Sequence, residues 1–209
     1  MIKVIEGKDN EEFVKSTCKL MYINDEHKIN VHINSNLINS MSVENNNEIR
    51  INVKENEDTK YNVIYMLQKY RYCWICDEKN KDKRVSNIIN NYLANYYMMT
   101  LLIDYWNCID DLDFKNKLDS LKEQICNACR VHIIKFSDES ETECLNEINC
   151  FTRIGEVLAC RNVLRKYNKE NNKYITEANA LGDILEKLEW HNINEMYSEI
   201  EQAFNLYFE

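Results

Sequence analysis

Proline is absent from this chain of 209 residues, and glycine occurs three times, at Gly7, Gly155 and Gly182. The first absence excludes a proline-rich linker or a polyproline recognition segment. The second excludes a glycine-rich phosphate loop, because glycines this far apart cannot bring several backbone N–H groups onto one phosphate. Long apolar runs are also missing. The most apolar stretch, Tyr96 to Ile103, ends at Asp104, well short of the roughly 18 residues a membrane-crossing helix needs. No block of positive charge stands out either. Lys79, Lys81, Lys83 and Arg84 alternate with Asp77, Glu78 and Asp82, and the formal net charge is −9. A nucleic-acid binder needs a basic footprint, and a protein that lies on anionic lipid needs a basic face. The expectation is no nucleic acid and no membrane anchor. The first residues, MIKVIEGKDNEE, lack the apolar core of a signal peptide, and the last, FNLYFE, carry no lipid-accepting cysteine. The protein is expected to stay soluble where it is made.

What is present describes a folded chain. Hydrophobic residues make up 44% and aromatics 11%, far from the disordered regime. The length suits one domain, or one domain with a small appendage, and a core large enough to need no staples. Asn, Ile and Lys are abundant while Pro and Gly are scarce. Their codons differ in A/T content, so the skew reflects an A/T-rich genome rather than a demand of the fold. Certain parasites, certain bacteria and large DNA viruses have such genomes.

The hydrophobic period changes near residue 58. In EIRINV (48–53), Ile49, Ile51 and Val53 fall on one side, and Glu48, Arg50 and Asn52 on the other, which is the period of a half-buried strand. KINVHI (28–33) reads similarly, and CKLMYI (18–23) is taken as a third short strand. INDEH and VENNN between them suit tight turns. Residues 1–58 are therefore expected to form a small antiparallel β module. From 59 to 209 the period is close to 3.6. Helices are expected over about 61–76, 84–108, 118–136, 143–167, 174–189 and 193–207, with a short one near 112–117. Ser137 or Asp138 with Glu141 reads as a capping start. The predicted architecture is mainly α, a helical bundle of about seven helices behind a β-rich N-terminal module.

Two CxxC pairs raise the question of chemistry: Cys73 with Cys76 in CWIC, and Cys126 with Cys129 in CNAC. Four convergent thiolates would suit zinc, and residues three apart share a helix face. Zinc knuckles, however, place such pairs on glycine-containing turns, whereas these lie on helices, with Cys129 on an apolar stripe. Core packing is the preferred reading, since a buried cysteine behaves as a small hydrophobe, and a zinc-binding helical protein is kept as an alternative. Thioredoxin-like redox work is set aside, because CWIC follows helical pattern rather than a strand. Nine cysteines in a chain without a secretion signal point to reduced thiols. The histidines His27, His32, His132 and His191 form no motif. Asp110, Asp111 and Asp113 suit the capping of a following helix better than a metal. No catalytic residue, no metal ligand and no cofactor site is assigned, and the chain is not expected to be an enzyme.

The segment from Asn149 to Phe204, with Ile154-Gly155 followed by Leu158, Ala159 and Cys160, resembles the C-terminal part of the poxvirus Bcl-2-like proteins, where a central buried helix carries an Ile-Gly pair among small residues. YMLQKYRYCW and the later LLIDYW are similar to the first helices of that family. A β-rich extension resembles the branch that antagonises Toll/interleukin-1-receptor adaptors. Two positions depart from the family pattern: Leu164 stands where a Trp is frequent, and Glu156 is more polar than the family position after the glycine. The resemblance implies a Bcl-2-like bundle over 59–209 and action by binding in the host cell cytoplasm. Its partners would be host signalling proteins, either those adaptors or the NF-κB kinase complex, with suppression of NF-κB and interferon-regulatory-factor activation. It also allows a homodimer. The alternative branch inhibits apoptosis by holding BH3 helices in a groove. The partner or dimer surface is assigned to Tyr65, Tyr72 and Trp74 on the first bundle helix with Tyr174 and Trp190 around the penultimate one, since exposed aromatics are enriched at interface hot spots.

Overall fold

The computed structural model describes residues 2–21, 23, 28–43, 48–75, 81–106, 122–131, 133, 148–167 and 180–208. The chain divides into two compact units, Met1–Arg71 and Tyr72–Glu209. In chain order the elements are β1 (Ile2–Glu6), a 3-10 turn (Lys8–Asn10), α1 (Glu11–Leu20), β2 (Ile29–Asn34), β3 (Ser40–Val43), β4 (Ile49–Lys54), α2 (Thr59–Ile75), α3 (Lys83–Trp106), α4 (122–131), α5 (Ile148–Tyr167), α6 (Ala180–Leu185) and α7 (Ile193–Phe208). The chain is thus mainly helical behind a small β module, as its periodicity indicates.

In the first unit the four strands lie in the order β1-β2-β4-β3. Only β3 and β4 pair antiparallel; β1–β2 and β2–β4 are parallel ladders. The sheet is therefore mixed where an all-antiparallel one was expected: α1 connects the parallel β1–β2 pair, and β3, on the far side of β4, connects the parallel β2–β4 pair. A parallel pair needs a crossover between its strands, and α1 carries the chain from the end of β1 toward the start of β2. CKLMYI was read as a strand, yet Cys18 to Leu20 end this helix. Val14, Thr17, Cys18 and Met21 are buried at spacings of three and four, which is helical period. Glu11 and Glu12 in the first turn and Lys19 in the last complement the helix dipole.

Gly7 makes the exit from β1 workable. Its φ of 73° lies in the left-handed region, and a Cβ there would stand 2.7 Å from Ile33 Cβ. Across β2 and β4 the alternation is regular. Ile29, Val31 and Ile33 are buried and pair with Ile49, Ile51 and Val53. Burying each such side chain contributes about 1.5–3 kcal/mol before entropy is counted. On the opposite face Asn30 donates to Glu48 (3.1 Å), Arg50 to Asn52 (2.9 Å) and Asn52 to Ser40 Oγ (3.0 Å), so these half-buried polar groups are partnered.

The second unit is built on α3 and α5, which run side by side in the same direction. Early contacts place Gly155 against Ile88 and Tyr92, and late ones place Lys166 and Tyr167 on Asp104. α3 buries Val85, Ile88, Ile89, Tyr92, Leu93, Met99, Leu102 and Ile103, more than one stripe, as a central helix should. α7 is amphipathic, with Ile193, Tyr197, Ile200 and Phe204 inward, and Phe204 meets Phe151 of α5 edge-on at 5.7 Å. Its N-terminus is held by polar contacts to the chain before α3. Lys81 donates to Asn194 (2.7 Å), Asn194 to Ile75 O (3.3 Å) and Tyr197 Oη to Asp82 O (3.1 Å). Of the helix expected over 174–189, residues 180–189 are described: α6 ends at Leu185, and residues 186–189 leave the helix through a turn rather than continuing it. The segment near 112–117 and the Ser137–Glu141 cap lie outside the described residues.

Candidate functional site

Among the described residues of the second unit, an aromatic cluster grows from one turn of α3. Tyr92 and Tyr96 are four residues apart and therefore share a helix face; their rings stack at 5.5 Å with 7° between planes. Tyr97 meets Tyr96 edge-on at 5.5 Å and lies against Trp190 at 5.4 Å. Tyr92 and Trp190 are buried, whereas Tyr96 and Tyr97 are half-buried. The strip is continued by Tyr167 of α5, whose hydroxyl donates to Asp104 Oδ1 at 2.8 Å. Lys166 reaches the other oxygen of Asp104 at 3.2 Å and lies over the Tyr167 ring. Burial raises the pKa of both half-exposed phenols. For Tyr96 the charges of Glu186, Asp104 and Glu189 act in the same direction, and for Tyr167 the bond to Asp104 does. Both remain neutral donors at physiological pH.

Beneath the strip runs a polar seam between α5 and α6. Asn162, 1% exposed, donates through its amide nitrogen to Tyr92 Oη (2.9 Å) and to Gly182 O (3.1 Å). One turn of α5 also supplies two guanidinium groups. Arg161 donates to Asp183 at 3.1 Å, and Arg165 donates to Asp183 at 2.6 Å and to Glu186 at 2.9 Å. Burial pushes the Asp183 carboxyl up, but Arg165 and Arg161 outweigh it and hold the group below its ordinary value. Gly182 leaves room here for the Arg161 guanidinium, which a Cβ would displace. The seam fixes α6 on α5 and so supports the Tyr97–Trp190 contact just beyond it.

The ionisable groups of this surface are engaged with one another. Its phenols are neutral, and Asp104, Asp183 and Glu186 are engaged by Lys166, Arg161 and Arg165. Among the described residues no three or more His, Cys, Asp or Glu side chains are placed to hold a metal.

Of the aromatic residues named from the sequence, Tyr65 belongs to the first unit and Tyr72 and Trp190 to the second. Tyr65 is half-buried on the part of α2 in the first unit, with Lys69 Nζ 5.4 Å from its ring centre. Tyr72 is 0% exposed and Trp190 6%, so both rings are buried where exposed ones were expected. The side chain of Trp74 and the whole of Tyr174 lie outside the described residues. What was missed is the Tyr96-Tyr97 pair, read only as part of an apolar run. The Tyr92/Tyr96 spacing of four was the signal that could have revealed the stack.

The packing reading holds for Cys126 and Cys129 of CNAC but not for Cys73 of CWIC, which is exposed. Cys126 and Cys129 are buried on α4, Cys160 on α5 and Cys18 on α1, while Cys73 is exposed and Cys76 lies outside the described residues. Burial pushes the Cys18 thiol up to about 12. His32 is half-buried with its Nδ1 3.9 Å from Glu6, and His191 is exposed beside Glu189 at 3.2 Å. His27, His132, Asp110, Asp111 and Asp113 lie outside the described residues. No family model, no curated protein and no solved structure matches this chain.

Proposed function

We propose that this chain works by binding another protein, without catalysis, and that the Tyr96–Tyr97–Tyr167 strip is the face that does so. The carrying observation is the strip's composition. Half-buried rings over a rigid stacked base, rimmed by Asp104, Lys166, Arg165, Glu186 and Glu189, combine an aromatic centre with a polar border. Interfaces concentrate binding energy in such aromatic centres, and rigid rings lose little entropy when they are covered.

The partner reading is narrower and rests on the resemblance. It is a host innate-immune signalling protein, a Toll/interleukin-1-receptor adaptor or an NF-κB kinase-complex subunit, whose capture by a viral protein in the host cytoplasm would block NF-κB and interferon-regulatory-factor activation. Two features are compatible with it: Gly155 of the Ile-Gly pair lies at a close helix contact in the middle of the second unit, and α6 and α7 follow that helix.

The test is affinity purification of the tagged full chain from vertebrate cells, with partners identified by mass spectrometry. Recovery of adaptors or kinase-complex subunits supports the reading. Recovery of cell-death proteins, with tight binding of isolated BH3 peptides, would replace it with apoptosis inhibition. Recovery of no specific protein would contradict a binding role.

A further inference from the structure

We infer that the tyrosine strip takes a basic partner: a protein segment whose arginine or lysine side chains lie over the Tyr96 and Tyr97 rings and meet Asp104, Glu186 and Glu189. The inference rests on the protein-binding reading of the strip and names the chemistry of what covers it. Charge and burial are layered here. The side chains of Asp104, Asp183, Glu186 and Glu189 are between 45% and 61% exposed. The guanidinium groups paired with them lie deeper, Arg161 at 5% and Arg165 at 30%. Of the fixed cations in these pairs, Lys166 alone reaches similar exposure, at 45%. Glu189 has His191 beside it at 3.2 Å, an imidazole that is charged only when protonated. The formal charges of these pairs nearly cancel, and salt screens exposed charges beyond about 8 Å. A partner in contact therefore meets the outer layer, and that layer is acidic.

Rings and carboxylates select the same kind of group. The face of a phenol ring attracts a cation held within about 6 Å of its centre. The chain already makes such a contact on this strip, with Lys166 Nζ 4.8 Å from the centre of the Tyr167 ring. A carboxylate has about four lone-pair sites. Glu186, which accepts from Arg165 at 2.9 Å, and Glu189 keep acceptor sites for a second donor. Arginine serves both needs, since its planar fork stacks on rings and bonds carboxylates in pairs. An acidic segment would set like charges face to face. A purely apolar one would strip water from exposed carboxylates and return no hydrogen bond.

The test measures fluorescence anisotropy of three labelled peptides with the full chain at about 0.15 M salt. The peptides alternate serine with arginine, with glutamine or with glutamate. The arginine peptide should bind at least about tenfold more tightly than the other two. Glu186→Gln/Glu189→Gln should weaken it about fivefold, and Tyr96→Ser/Tyr97→Ser should weaken it as well. Glu57→Lys, which changes an exposed acid of the first unit, should leave it unchanged. Lys166→Gln removes the exposed cation and should strengthen binding, a gain that misfolding cannot imitate. Equal affinity for the arginine and glutamine peptides, no binding of any peptide, or an equal loss with Glu57→Lys would overturn the inference. So would unchanged binding in folded Glu186→Gln/Glu189→Gln. Capture of cell proteins separates this failure from that of the reading beneath it. Proteins lost by the folded tyrosine variant but kept by the glutamine variant would leave the strip as a binding face and remove its basic preference. Proteins kept by both would overturn the binding face itself.

Discussion

Gly155 of α5 faces the backbone of α3 so closely that a Cβ on it would stand 2.5 Å from the carbonyl oxygen of Ile88 and 3.0 Å from the amide nitrogen of Tyr92. The obstacle is main chain, which cannot swing aside as a side chain can. Gly155→Ala should therefore destabilise the chain by about 1–3 kcal/mol, the usual cost of overpacking, despite alanine's better helix propensity. Urea unfolding of the full chain measures this; an unchanged or higher midpoint would mean that the two helices are not in such contact.

Asn162 and Tyr92 should be energetically coupled. Asn162→Ala removes the donor to Tyr92 Oη and to Gly182 O in a site 1% exposed, and a loss of about 1–3 kcal/mol is expected. Tyr92→Phe should then cost less in the Asn162→Ala background than in the natural chain. A double-mutant cycle on unfolding free energies checks this, and strictly additive costs would contradict the bond.

Acid should erase the contribution of Asp183. Burial opposes its charge, but Arg165 and Arg161 prevail and hold its folded pKa below the ordinary 3.8. A carboxylate depressed on folding contributes stability that is fully present above its unfolded pKa and lost as the pH falls through the folded value. Asp183→Asn should thus lower the urea midpoint near pH 6, and the difference should close as the pH drops below about 3.8. A difference independent of pH would show that the ion pairs do not act through this charge.

Much of this architecture was legible in the sequence, and its errors have physical causes. Ile49, Ile51 and Val53 alternate because one sheet face is buried, so β4 could be read directly. The stripes of α2, α3, α5 and α7 were equally plain, since each helix buries residues three and four apart. The direction of strand pairing was not legible. For β1–β2 it depends on α1, and in CKLMYI only the C-terminal end of that helix was scanned, too short a window to separate period two from 3.6; for β2–β4 it depends on β3 lying beyond β4. Trp190 and Tyr72 were chosen as surface anchors because residue type alone does not tell a core ring from an exposed one. The Asn162–Tyr92 and Arg161–Asp183 pairs join residues far apart in sequence, and no local spacing signals them.

The central claim, that the chain binds a protein through its half-buried tyrosines, is tested most directly by a quantitative comparison. Proteins captured from vertebrate cells by the natural chain would be measured against those captured by a Tyr96→Ser/Tyr97→Ser chain, with both melting curves recorded. The account predicts recovery of innate-immune adaptors or kinase-complex subunits by the natural chain. It also predicts their loss by at least about tenfold in a folded variant, about 1.4 kcal/mol of binding. Equal recovery by both folded chains would contradict it.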